Sequence, residues 1–229
     1  MPGLTEKASG FPLEPNTAVE RAHKAWEESM LRQIDELRAI VMRDQPAALA
    51  HRCGADLLEN ELCLPYWGQP VGIAWPTLEA RFLPDGPTCS IFDISLLLYY
   101  LKIADGAPLA DRWISFRELP GGAFYNQAFQ GYSGDRLAQA LGEQVQVFEA
   151  AAQKVGGWRL AGLAEFAFAF QPLPRLRLAA VFWPGDEEFP SRATVLFDAA
   201  SSHYMTTDGM AILGSGLVSR IIKAGSDDF

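Results

Sequence analysis

The sequence predicts an α+β fold: a single domain, mainly antiparallel sheet with packed helices. Three observations carry this prediction. Helical periodicity fills the segment from Asn16 to Val41 and returns after Ser90 and Ser133. Short apolar runs broken by Gly and Pro occupy residues 61–83. Three strand-length runs follow one another between Phe166 and Phe197 with no helical pattern between them. Helices and strands in this irregular order argue against a parallel βαβ sheet.

The first fifteen residues carry Pro2, Gly3, Gly10, Pro12 and Pro15 and read as an extended arm. Asn16 or Thr17 can cap the helix that follows, because a short polar side chain satisfies free N–H groups of the first turn. Ala18, Ala22, Trp26, Met30, Ile34, Leu37 and Val41 share one face of it, and Trp26 is large enough to anchor that face. Pro46 to Cys53 predicts a short helix with proline in a tolerated early position. The meander comprises Glu61–Trp67, Gln69–Trp75 and Thr77–Leu83, its prolines suggesting exposed edges.

Ile91 to Ala104 is apolar all round and predicts the central core helix, ended by Asp105-Gly106. Trp113 to Leu119 alternates as a strand, and Pro120-Gly-Gly122 turns the chain toward an aromatic-rich stretch from Ala123 to Phe129. Ser133 opens a helix with Asp135 in its first turn, and Glu143 to Val155 forms the next. A short link from Trp158 to Leu163 leads to strands at 166–170, 176–183 and 193–197. A helix from Met210 to Ile222 follows, and residues 225–229 are expected to fray. The domain is thus drawn over residues 16–224, with no repeat or long linker to divide it.

A net charge of −9 excludes a duplex nucleic acid as main partner, since such binders present a basic stripe. The longest apolar run, Ile94–Leu101, is far too short to insert in a membrane. The N-terminus has no signal pattern, and Cys53, Cys63 and Cys89 are odd in number. Reduced thiols in a cytoplasmic protein are the expectation. A small-molecule cofactor or a protein partner remains.

Three constellations can carry chemistry. Asp186, Glu187 and Glu188 stand in a turn between Trp183 and Phe189. Buried together, such carboxylates would hold a hard cation or raise one another's pKa; pointing into water, they are an ordinary charged turn. Asp198 can join them from a paired strand position. His203, beside Tyr204, can accept a proton, ligate a metal with Asp198 or serve as an axial haem ligand, or it can be a surface residue next to a helix cap. Arg117, set among Trp113, Phe116, Phe124 and Tyr125, can grip an anion with help from N–H groups at Gly121 and Gly122, or pair with an acid of the chain itself. A Gly-Ser-Gly sequence at 214–216 imitates a dinucleotide turn, but the ten residues after Ser219 cannot complete the unit. No nucleophile elbow is present.

Leu97–Leu101 with Asp105-Gly106, Trp113–Gly122, Trp183–Pro190 and Leu196–Asp198 with His203-Tyr204 together resemble a domain-of-unknown-function family of anaerobic bacteria and archaea. The resemblance covers about residues 45 to 222. Some members are fused to a small iron–sulfur domain, of which this chain has no Cys-rich counterpart. The resemblance implies an anaerobe's cytoplasm and a neighbourhood of redox or corrinoid chemistry. The functional expectation is an accessory protein that binds a cofactor or partner, a tetrapyrrole first, with His203 as axial ligand. The alternatives are an enzyme using the carboxylates and His203, with a divalent metal or by acid–base chemistry, and a subunit of a larger redox complex docking through its N-terminal arm and the Trp26 helix.

Overall fold

The computed structural model describes residues 16–226. The arm 1–15, residues 227–229 and the Trp26 side chain lie outside the described residues, and so do the expectations placed on them. Helix α1 spans Asn16–Val41, α2 spans Pro46–Cys53 and α3 spans Ile91–Ile103. Leu37 and Val41 are buried on α1, and Gln33 donates to the Tyr99 hydroxyl of α3 at 2.6 Å, so α1 lies along α3. Seven residues of α3 are buried on several faces, as its uniformly apolar sequence requires. Ser90 caps it by accepting from the Asp93 N–H.

Between α2 and α3 lies a four-stranded antiparallel meander in the order β1-β2-β3-β4, with β1 Asp56–Leu58, β2 Glu61–Tyr66, β3 Gln69–Ala74 and β4 Ala80–Phe82. The three expected strands are there, and β1 adds a fourth. The prolines do not mark edges. Pro65 and Pro70 face each other on the two central strands. They stand one pair back from the two-residue turn Trp67-Gly68, where the closing pair exchanges hydrogen bonds and the next does not. Their nitrogens therefore point away from each other, and β1 ends before it would need a donor from Pro65.

The second sheet is five-stranded and antiparallel, ordered β5-β9-β8-β7-β6. Its strands are β5 Trp113–Ser115, β6 Trp158–Arg159, β7 Phe166–Leu173, β8 Leu176–Trp183 and β9 Arg192–Asp198. β5 is shorter than its alternation predicts, because the Ser115 N–H and hydroxyl both donate to Glu118. That capping box starts a 3-10 turn at Phe116–Glu118. The aromatic stretch after it is α4, Gly122–Tyr132, followed by α5 Gly134–Leu141 and α6 Val145–Lys154. Helix α7 runs Thr207–Ser226 and takes in the Gly-Ser-Gly sequence. A Cβ on Gly214 would come within 2.8 Å of the Phe129 ring, so the glycine there serves close helix packing.

Two aromatic groups knit the layers. Phe116 stacks on Phe129 at 4.2 Å, with Phe197 beside both. Phe148 of α6 stacks on Phe182 at 5.2 Å and meets Phe168 edge-on. Tyr100, fully buried, donates to the Cys53 carbonyl at 2.6 Å and accepts from the Arg175 N–H at 2.9 Å. It thereby ties α3 to α2 and to the β7–β8 turn. Tyr100→Phe strands both backbone groups and is expected to cost about 1–3 kcal/mol in a urea unfolding curve.

Among the described residues, no helix is long and apolar enough to cross a membrane.

Candidate functional site

The sequence-predicted residues separate into different places. Trp183 pairs with Arg192 at the base of the β8–β9 hairpin, its ring 5.9 Å from the guanidinium. The acidic turn is the tip of that hairpin, and Asp186, Glu187 and Glu188 are exposed. Asp186 Oδ1 accepts from the N–H groups of Glu188 and Phe189 at 2.9 and 2.8 Å, which closes the turn. Those two hydrogen bonds hold the Asp186 carboxyl below its usual range.

Asp198 is at the other end of β9, six residues and about 20 Å from Arg192. It pairs with Trp113, not with the acidic turn. Only 1 % exposed, it accepts at Oδ1 from Ala110 N–H at 2.9 Å and Ala200 N–H at 2.8 Å. Its work is to latch two loops to the end of β9. The expected union of Asp198 with the three acids is therefore overturned by strand geometry.

His203 lies in a 3-10 turn, Ser201–His203, with Nδ1 2.6 Å from Asp105 Oδ2, both side chains about half exposed. Tyr204 is buried and donates to the Ala107 carbonyl. Among the described residues, no group of three or more His, Cys, Asp or Glu side chains is arranged to hold a metal. Phe116 is core, Trp113 is half-buried, and Arg117 is exposed without an ion pair among the described residues. The Gly122 N–H is spent on the Leu119 carbonyl at 2.8 Å, so it offers nothing to an anion.

The His203 hydrogen bond is the largest cause of a lowered Asp105 pKa, and the Ser115 N–H does the same for Glu118. With Asp186, three carboxylates bind protons less readily folded than unfolded. Stability from these groups is present above the ordinary carboxylate range and is lost as pH falls through their depressed folded values. Thermal melts are expected to fall as pH drops below about 4. Asp105→Asn should soften that fall.

Cys53 and Cys89 are inert by placement, and Cys63 is partly buried. Burial pushes Cys53 and Cys89 up to about 11, and raises Cys63 as well. Two pKa units mean about a hundredfold less thiolate at Cys53 and Cys89. Mass spectrometry after iodoacetamide at pH 7.5 should show slow labelling of Cys53 and Cys89 in the native protein and rapid labelling of all three cysteines in urea.

One cleft stands apart from all of these residues. Its volume is about 510 Å³, and Trp67, Gly68, Lys154, Val155, Gly156, Trp158, Phe170, Gln171 and Arg220 line it. Four separate pieces of the chain build it. The β2–β3 hairpin brings Trp67 and Gly68, both with positive φ, 51° and 77°. Two successive left-handed residues make a type I′ turn, which matches strand twist but favours Asn-Gly over a Trp. The Trp67 N–H donates to Pro172 at 2.9 Å and so fastens the hairpin to β7 of the other sheet. Helix α6 ends with Lys154, and Gly156 at φ 85° turns the chain into β6, where Trp158 is 41 % exposed. A Cβ on Gly157 would strike the Phe170 ring at 2.5 Å, so this turn is kept small to bring the wall close. From α7, Arg220 lays its guanidinium 4.2 Å from the centre of the Trp67 ring.

Desolvation pulls the Arg220 pKa down, and the nearby Tyr66 and Asp93 push it back. Asp93 itself is occupied by the Tyr66 hydroxyl at 2.8 Å and the Ser90 hydroxyl at 2.6 Å. Among the described residues, Arg220 has no carboxylate in ion-pair contact. Sequence reading took the glycines within residues 61–83 as breaks between strands and missed this cleft. The available signal was a tryptophan placed where a tight turn prefers Asn or Gly.

No curated protein and no solved structure matches the chain. A family model described as a domain of unknown function matches residues 45–220, from the start of α2 to the cleft-lining Arg220 and leaving out α1. The chain belongs to that family, DUF3786.

Proposed function

We propose that the protein is an accessory ligand-binding domain serving redox or corrinoid chemistry, and that the cleft at Trp67 and Trp158 is where its ligand sits. One observation carries this reading. The cleft has a ligand-sized volume and aromatic walls, yet none of its lining residues is a His, Cys, Asp, Glu or Ser. Such a wall can stack a ring and hold a charge, and apart from the Lys154 amine it contains no acid, base, nucleophile or metal ligand. That favours binding over catalysis. A tetrapyrrole is our first candidate, held by its ring and side-chain acids. His203 is not part of this cleft, so axial ligation from it plays no part in the proposal. The setting of an anaerobe's cytoplasm belongs to the same proposal and rests on the resemblance described above.

The test is titration of the protein's tryptophan fluorescence with protoporphyrin IX, alongside an absorption spectrum of protein purified from its host without oxygen. Quenching that saturates, and that weakens about tenfold in Trp158→Ala through lost stacking, supports the reading. Unchanged quenching in both Trp158→Ala and Trp67→Ala moves the site elsewhere.

A protein partner has one observation in its favour. Phe124 is 91 % exposed and Tyr125 63 % exposed on α4, a helix with no charged residue. If α4 carries a partner, the same co-purifying protein should be lost from Phe124→Ser with the fold intact.

A further inference from the structure

Resting on the cleft as the ligand site, we infer the class of ligand: a flat ring bearing a phosphate or carboxylate, whose acid group is received by Arg220. Three features of the geometry converge. The first is that Arg220 is already positioned. Its guanidinium lies 4.2 Å from the Trp67 ring centre, so little side-chain freedom remains to be lost when an anion arrives. The second is an incomplete charge balance. No carboxylate among the described residues makes ion-pair contact with Arg220, and the nearby Asp93 spends its oxygens on Tyr66 and Ser90. A guanidinium held in place on a ring, with no carboxylate of its own, can pair with an anion through its planar fork.

The third feature is the ring surface. Trp67 and Trp158 enter from different elements, one on a hairpin and one on a sheet edge, with Phe170 as floor. Aromatic faces accept flat rings whatever their edge chemistry. Gln171 is the one amide side chain in the wall, and one of its N–H groups donates to the Pro174 carbonyl at 2.7 Å. Stacking and charge dominate the site.

The experiment compares ring pairs that differ only in their acid. FMN is set against riboflavin, and protoporphyrin IX against its dimethyl ester, each titrated by fluorescence into the intact chain. In wild type, the acid-bearing member of at least one pair is expected to bind about tenfold or more tightly, the range of a charge-assisted hydrogen bond. Arg220→Met should remove that difference, so that the acid-bearing ring and its neutral partner bind equally. Arg220→Lys should keep part of the difference. The flavin pair reports a phosphate and the porphyrin pair a carboxylate, so the two sources are told apart. Equal affinity for acid and neutral rings, with binding still lost in Trp158→Ala, overturns the ligand class and leaves the cleft reading standing. Binding that neither Trp158→Ala nor Arg220→Met alters overturns both. Circular dichroism and melting of each variant separate these outcomes from misfolding.

Discussion

Asp198→Ala is expected to unfold about 4 °C or more below wild type, with a loss of about 2–4 kcal/mol. The carboxylate is buried, and removing it leaves the Ala110 and Ala200 N–H groups without the acceptor they share. The buried Ala200 donor costs about 1–3 kcal/mol when stranded and the part-buried Ala110 donor about 1 kcal/mol, and for a domain of this size each kcal/mol lowers Tm by roughly 2–4 °C. Asp198→Asn keeps an acceptor oxygen in place and should recover most of the loss. The pair of variants, followed by urea and thermal unfolding, separates a latch from a functional acid. If Asp198→Ala melts like wild type, the latch account fails and the residue returns to consideration as chemistry.

The turn before α4 gives the second large effect. A Cβ added at Gly122 would stand 1.9 Å from the Phe116 carbonyl oxygen, a backbone atom fixed by the 3-10 turn. Gly122→Ala therefore has to move backbone, at an expected cost of about 3 kcal/mol or more. Its neighbour serves as control. Gly121 has φ 72° but open space around its Cα, so Gly121→Ala should cost only the left-handed penalty, about 1–2 kcal/mol. Urea denaturation of both variants reads the difference. Equal destabilisation of the two would mean that the close approach to Phe116 is not what selects glycine.

Much of this architecture was legible in the residues. Helix α3 announced its burial by being apolar on every side, and β8 and β9 by their β-branched and aromatic runs. What local pattern could not show is which elements become neighbours. Asp198 and the acidic turn are close in sequence, but a strand between them holds them apart. Asp105 and His203 are 98 positions apart and meet through their side chains. The aromatic stretch of α4 lacked a helical stripe because its exposed face carries Phe124 and Tyr125. The cleft was hardest to see, since Trp67, Lys154, Trp158 and Arg220 come from segments whose meeting depends on the two sheets being pinned together at Pro172.

The left-handed Trp67 has a consequence on an evolutionary scale. At that corner the backbone favours a small polar residue, with Asn-Gly the ordinary solution. Selection for stability alone would therefore remove the indole. A lineage that gave up the ligand would be expected to drift to Asn or Gly at this position, with the hairpin intact and Arg220 released from constraint. A lineage that kept the ligand would hold both residues together. The two positions should change as a pair, and that joint change can be read from sequences before any ligand is known.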